Sequence, residues 1–240
     1  MRDVFANPLR ELKEFEDLKA GLEEGKGPVQ VSGCMDSQKV HLMYEASREV
    51  PWKLVVAADG NRAQEIYDDF RYFEPNTWLY PAKDLLFYSA DIHGNLMVKQ
   101  RLSVLKHLME DRGGVVVTTV DGLMDHLVPL ELLCAQAVTV ESGQEMDLEE
   151  WREKLVALGY ERLPQVDGMG QFSVRGGILD IFPLTEEMPV RIELWDTEVD
   201  SIRTFDLESQ RSVEQLEKIT INSASEMVLT KDRIERGMEK

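Results

Sequence analysis

A glycine and a lysine near the start of the chain are spaced as in a nucleotide-phosphate loop. Such a loop follows a strand, opens a helix and reads G-x-x-x-x-G-K-[ST], so that backbone amides and the lysine hold phosphate oxygens. Gly33 and Lys39 occupy the first glycine and the lysine positions. The second glycine is replaced by Gln38, and the hydroxyl residue that would bind magnesium is replaced by Val40. The segment therefore predicts a degenerate phosphate loop that does not hold ATP.

The acidic residue Asp36 strengthens this prediction, because it adds a negative charge that would repel a phosphate group. Two interpretations of the loop stay open. It is either an ordinary turn before a helix, with a solvated Lys39, or the remnant of an ancestral phosphate loop. Gly33 and Lys39 also support an alternative function, a nucleotide-binding or helicase domain with an atypical phosphate loop.

No second set of residues in the sequence has the spacing of a catalytic or metal site. Ser37, Ser173 and Ser201 lack the Gly-x-Ser-x-Gly context of an activated serine. Cys34 and Cys134 are far apart in sequence and have no histidine at ligand spacing, which favours two reduced thiols. We therefore expect no catalytic residue, no metal and no cofactor in this chain.

The charge balance of the chain is strongly acidic. Its 240 residues include 45 acidic and 27 basic side chains, a net charge of −18. Because affinity for DNA or RNA comes largely from basic residues that displace counterions, we do not expect this chain to bind nucleic acid by itself. The charge favours a protein partner with a basic or mixed surface, or else it only keeps the chain soluble.

Membrane and secretion signals are not indicated either. No apolar run in the sequence approaches the roughly 18 residues that a membrane span requires. The N-terminal residues lack the apolar core of a secretory signal. We expect a cytoplasmic protein without a membrane partner.

Strands and helices alternate in the first half of the sequence. The predicted helices are 38–49, 61–73 and 96–109, after an opening helix that starts at Asn7-Pro8 and ends at Gly25. The predicted strands are 29–32, 53–58, 78–80 and 114–119. This alternation with nearly continuous apolar strands is typical of a parallel sheet covered on both faces. It predicts an α/β, P-loop-like but degenerate first domain over residues 1–125.

The pattern changes after residue 125. A strand at 137–141 precedes a helix that begins at Asp147 and that Gly159 ends. Short alternating runs then predict strands at 172–175, 178–182, 190–195 and 200–205. These elements predict a small α+β domain with an antiparallel sheet over residues 126–212. The tail, 213–240, begins with a strand at 218–221.

Strand alternation sorts the side chains of residues 190–195 between two faces. The apolar residues share one face, and Arg191, Glu193 and Trp195 share the other. Arg175 lies on an outward face in the same way. Arginine and tryptophan are enriched in protein interfaces, so this face is a candidate binding surface. The alternative is that Arg191 and Glu193 form a surface ion pair of less than about 1 kcal/mol, and that Arg175 is a simple exposed residue.

Two adjacent segments carry a family resemblance. Residues 170–183 read GQFSVRGGILDIFP, and residues 190–206 read VRIELWDTEVDSIRTFD. They resemble the UvrA-binding domain shared by the excision-repair protein UvrB and the transcription-repair coupling factors (Mfd). The continuation LESQRS at 207–212 is similar to the coupling factors in particular. In the first domain, WLYPAK at 78–83 and VVVTTV at 115–120 resemble the same N-terminal UvrB-like module.

Two departures from UvrB agree with the coupling factors. UvrB has an intact phosphate loop and a tyrosine-rich hairpin that enters DNA, whereas this loop is degenerate and residues 80–95 are too few for the hairpin. The resemblance implies a non-catalytic UvrB mimic that binds UvrA and recruits nucleotide excision repair to stalled RNA polymerase. RNA polymerase and DNA would be bound by other parts of a longer protein. Residues 213–240 would begin a segment that returns to the first domain.

The resemblance also implies which residues bind UvrA. UvrB presents arginines at the positions of Arg162, Ser173 and Arg175, and a glutamate at that of Glu193. Ser173 departs from this pattern, so one charged contact is missing. The candidate UvrA-binding residues, including two from strand alternation alone, are Arg162, Arg175, Glu193, Arg191 and Trp195.

Overall fold

The structure is a computed structural model that describes residues 9–25, 27–83, 93–111 and 113–226. The chain forms two compact units. Unit 1 comprises residues 1–84 and 111–125, and unit 2 comprises residues 85–110 and 126–240. The mixed α/β character predicted from the sequence is confirmed, with a parallel sheet in unit 1 and antiparallel pairing in unit 2.

The elements are numbered in chain order. The helices are α1 (Lys13–Glu24), α2 (Asp36–Ala46), α3 (Gly60–Phe73), α4 (His93–Met109), α5 (Val120–Met124), α6 (Leu130–Cys134) and α7 (Leu148–Ala157). The strands are β1 (Trp52–Ala57), β2 (Thr77–Tyr80), β3 (Gly114–Thr119), β4 (Val138–Glu141), β5 (Glu161–Arg162), β6 (Gln171–Arg175), β7 (Ile178–Ile181), β8 (Val190–Trp195), β9 (Glu198–Phe205), β10 (Ser212–Leu216) and β11 (Lys218–Ile221).

Unit 1 is built on a three-stranded parallel sheet with strand order β1-β3-β2. Helix α3 begins where the Asp59 side chain accepts a 2.9 Å hydrogen bond from the Arg62 backbone N–H. Its apolar positions then recur at helical spacing, and Phe70 is fully buried in the same core as Val115 and Val117 of β3. Burial of one apolar stripe therefore holds α3 on one face of the sheet.

Two expectations for unit 1 are wrong. The predicted strand at 29–32 is not a strand, and Val29 and Val31 are exposed because no strand of the described sheet pairs with this segment. The sheet is also not covered on both faces along β1, where Leu54 and Val56 are 58% and 43% exposed. The predicted helix start at Asn7-Pro8 lies outside the described residues, whereas the end of α1 at Gly25, with φ of 61°, is confirmed.

Unit 2 contains a six-stranded sheet with strand order β10-β9-β8-β7-β6-β5. Its pairs are antiparallel except β5–β6, which is parallel. Helix α7 starts at Asp147, whose side chain accepts from the N–H groups of Glu149 and Glu150, and the chain turns at Gly159 with φ of +88°. Both predicted ends are therefore confirmed. The sequence did not predict the short strands β5 and β10.

Helix α4 lies in unit 2. Arg101 on this helix is fully buried and forms a two-pronged ion pair with Glu226, with Nε–Oε1 and Nη2–Oε2 distances of 2.5 and 3.1 Å. The sequence pattern instead suggested a helix that covers the first sheet. An apolar stripe on a helix does not by itself specify which of two cores buries that helix. Here the ion pair of Arg101 with Glu226 joins α4 to another segment of unit 2.

Candidate protein-interaction site

In the loop at residues 33–40, the residues that differ from the phosphate-loop pattern make local structural contacts. Gln38 accepts a 3.1 Å hydrogen bond from the Met35 backbone N–H, which caps the start of α2. Val40 is fully buried in the core of unit 1. Lys39 donates from Nζ to Asp36 Oδ1 at 2.9 Å. The lysine that would contact a phosphate is thus bonded to a carboxylate of its own loop.

A second cation completes this cluster, which we call the loop triad (Asp36, Lys39 and Arg62). Arg62 on α3 approaches Asp36 at 3.1 Å. The hydrogen bond from Lys39, together with the charges of Arg62 and Lys39, lowers the pKa of Asp36 below its ordinary value. The side chain of Asp36 remains 67% exposed. The triad therefore has one more positive than negative charge, and Arg62 also pairs with Glu65 on its own helix.

A second charged surface lies on the sheet of unit 2, on the face opposite the apolar core. We call it the arginine face. Strand register aligns two rows of side chains across it, since opposed residues on paired strands share a face. The residues of the arginine face are Ser173, Arg175, Asp180, Arg191, Glu193, Ser201 and Arg203. The predicted residues Arg175, Arg191 and Glu193 are brought together here.

Asp180 is the buried centre of the arginine face, with 1% of its surface exposed. It accepts hydrogen bonds from Arg175 Nη2 at 2.8 Å and from Arg191 Nε and Nη2 at 2.6 and 3.0 Å. Arg191 also donates to Gln210 at 3.0 Å and stacks over the Phe205 ring at 4.5 Å. The hydrogen bond to Asp180 raises the pKa of Arg191 above its ordinary value, so this arginine stays charged.

Glu193 forms its ion pair with Arg203, across the strand pair β8–β9. Ser201, which lies opposite Glu193, is 3.3 Å from the same carboxylate. The alternative pairing of Arg191 with Glu193 is not the one observed, because Arg191 turns to Asp180 instead. Glu193 is half-buried and keeps part of its carboxylate accessible.

Two of the remaining predicted residues, Arg162 and Trp195, are not part of the arginine face, and Ser173 lies in it with its hydroxyl bonded to the backbone. Arg162 is exposed on the edge strand β5, and its register partner Phe172 belongs to the buried face of the sheet. Register thus places Arg162 and Arg175 on different faces. Trp195 is 82% exposed at the end of the β8–β9 hairpin. Ser173 is buried and donates to the Pro164 carbonyl at 2.8 Å, so it makes a structural contact.

Sequence reasoning missed Asp180, Arg203 and Gln210. Asp180 had a detectable signal, because it is the only charged residue in the apolar run 178–182 and alternates with Leu179 and Ile181. Those two neighbours are fully buried. A charged side chain at that register must point away from the core, toward the arginines of the adjacent strands.

Comparison with protein families identifies the kind of domain to which the arginine face belongs. Residues 138–227 match the family described as the UvrB interaction domain. This range contains strands β4 to β11 and helix α7, and therefore the whole arginine face.

The comparison with individual proteins extends over nearly the entire chain. The chain is 33% identical, over 97% of its length, to the transcription-repair-coupling factor of Bacillus subtilis (strain 168). The corresponding proteins of Staphylococcus haemolyticus (strain JCSC1435) and Staphylococcus aureus (strain Mu50 / ATCC 700699) are each 32% identical, over 98% and 96% of the chain. The resemblance to the transcription-repair coupling factors is confirmed.

The chain spans 20% of the length of these relatives. Among the helices of the described residues, none combines the length and apolar character needed to cross a membrane.

Proposed function

We propose that this chain is a non-catalytic, UvrB-mimicking module that binds UvrA and thereby recruits nucleotide excision repair to stalled RNA polymerase. The observation that carries the proposal is the arginine face inside the residues matched by the UvrB interaction domain. In a chain of net charge −18, this face has more arginines than carboxylates. Contacts to RNA polymerase and DNA belong to other parts of the longer relatives.

Arg175 is the strongest candidate for a direct contact with UvrA. Its side chain is 49% exposed and makes one hydrogen bond within the described residues, through Nη2. A guanidinium has five N–H donors, so Arg175 retains donors that a partner carboxylate can accept. Glu193 supplies the complementary acceptor on the same face, and Trp195 supplies exposed aromatic surface at the end of the β8–β9 hairpin.

A calorimetric titration of the chain with purified UvrA tests this proposal. We expect saturable binding that weakens by about 30-fold or more, or about 2 kcal/mol, when Arg162 and Arg175 are both changed to Ala. Lys218→Ala removes an exposed positive charge from the small β4–β11 sheet and is the matched control, with unchanged affinity. Absence of saturable binding, or equal affinity of the double variant and wild type, would contradict the proposal.

The absence of nucleotide hydrolysis is part of the same proposal. It is supported by the loop triad, in which Asp36 engages Lys39, and by Val40, whose buried side chain has no oxygen for magnesium. We expect no measurable binding of Mg-ATP to the wild-type chain by calorimetry. ATP binding that disappears in the Lys39→Ala variant would instead support a nucleotide-binding domain with an atypical loop.

A further inference from the structure

The buried carboxylate of Asp180 links two arginines that differ in exposure. The side chain of Asp180 is 2% exposed, that of Arg191 is 16% exposed and that of Arg175 is 49% exposed. Asp180 lies on β7, in register between Ser173 on β6 and Arg191 on β8. The carboxylate therefore binds two guanidinium groups, of which that of Arg191 is nearly buried and that of Arg175 is half exposed.

Arg191 is held from several directions and is poorly placed to contact a partner with its full guanidinium. Asp180 binds two of its nitrogens, Gln210 accepts a third hydrogen bond and the Phe205 ring packs beneath it. These contacts leave Arg191 as a fixed cation that holds the Asp180 carboxylate in one orientation. Its guanidinium pairs with the buried carboxylate.

Among the residues that the structure describes, Arg175 is held at one point, where its Nη2 donates to Asp180 Oδ2 at 2.8 Å. That single bond fixes the direction of a long side chain that would otherwise sample many rotamers. The other N–H groups of the guanidinium are available for a carboxylate on a second protein. An arginine that is already oriented loses less conformational freedom when it binds.

We infer that Asp180 is a positioning residue of the interface: it acts through Arg175 and orients this arginine toward a carboxylate of the partner. The inference rests on the proposed binding of UvrA. Asp180 itself does not touch the partner, since it lies beneath the guanidinium groups. Its contribution to affinity is the orientation of Arg175.

The variant Asp180→Asn keeps the size of the side chain and removes its charge. We expect this change to weaken UvrA binding about tenfold, the effect of releasing one or two ordered side chains at an interface. Asp200→Asn is the matched control, because Asp200 is an exposed aspartate on β9 of the same sheet. The control should bind UvrA within about twofold of wild type.

A double-mutant cycle separates positioning from a general structural role. If Asp180 acts through Arg175, Asp180→Asn costs about tenfold in wild type and no more than about twofold in the Arg175→Ala background. An equal loss in both backgrounds would overturn the inference. If wild type itself fails to bind UvrA, the proposed function fails instead, so the two failures are distinguishable.

A measurement on the wild-type chain covers the case in which Asp180→Asn does not fold. NMR relaxation of the Arg175 Nε–H group reports the order of the free side chain. Fixation by Asp180 predicts an order parameter near the value of about 0.85 for rigid groups, whereas a value below about 0.6 would contradict it.

Discussion

Each unit of the molecule contains one aspartate between two cations, and the two clusters differ in burial. In unit 1, Asp36 contacts Lys39 and Arg62, and its side chain is 67% exposed. In unit 2, Asp180 contacts Arg175 and Arg191, and its side chain is 2% exposed. The chemistry of the two triads is nearly the same, but only the second excludes water from its carboxylate.

Burial decides what each triad contributes. Exposed ion pairs are screened by water and ions, so the loop triad neutralises Lys39 without fixing its surroundings strongly. A buried carboxylate must keep its partners, because an uncompensated buried charge is costly. In unit 2, the carboxylate of Asp180 therefore holds Arg175 and Arg191 through hydrogen bonds. Nearly the same chemistry thus gives an exposed cluster in unit 1 and a cluster with a buried carboxylate in unit 2.

The largest effect is expected where an ion pair is most completely buried, at Arg101 and Glu226 of unit 2. Arg101→Met should destabilise the chain by about 3–5 kcal/mol, because the buried carboxylate of Glu226 would lose its ion pair with Arg101. Urea unfolding measures the change. Arg101→Met combined with Glu226→Met removes both charges and should recover much of the loss. A single variant within about 1 kcal/mol of wild type would contradict the dependence on burial.

A smaller loss of stability is expected at the centre of the arginine face. Asp180→Asn should lower the free energy of unfolding by about 1–2 kcal/mol, at the low end for charged hydrogen bonds because Arg175 is half exposed. The same urea titration checks this value, with Asp200→Asn as the exposed control. Equal stability of the two variants would show that burial of Asp180 does not matter.

The smallest effect is expected at the loop triad, where Asp36→Asn should leave the unfolding midpoint unchanged. The folded-state pKa of Asp36 is depressed below 3.8 by Lys39 and Arg62. Its stabilising contribution is therefore present above pH of about 3.8 and is lost as the pH falls through the lower folded value. An NMR titration of the Asp36 carboxyl group tests the direction of this shift. A pKa at or above 3.8 would exclude the triad in solution.

Sequence periodicity located most elements that have strong local patterns. Strand β8 was predicted at its observed bounds, and α7 was predicted from the capping residue Asp147 and the stop at Gly159. The prediction for segment 29–32 failed because its two valines alternate as in a strand, but none of the described strands pairs with them. Strand formation depends on a neighbour that local sequence does not specify.

The candidate site was predictable only in part for a similar reason. Alternation placed Arg175, Arg191 and Glu193 on outward positions, and the structure brings them to one face. Which charge pairs with which depends on register between strands. The ion pair between Arg191 and Glu193 was the alternative to a binding role, whereas the observed partner of Arg191 is Asp180. Arg162 was grouped with Arg175 through the family resemblance, whereas register separates them. Their contribution to UvrA binding stays a prediction.

The affinity of the chain for UvrA, measured for one variant in each unit, is the most direct test of the central claim. Arg175→Ala changes the arginine face, and Lys39→Ala changes the loop triad. We expect saturable wild-type binding, a loss of about 30-fold for Arg175→Ala and no change for Lys39→Ala. Unchanged affinity in Arg175→Ala, or a larger loss in Lys39→Ala, would contradict the assignment of the interaction to unit 2.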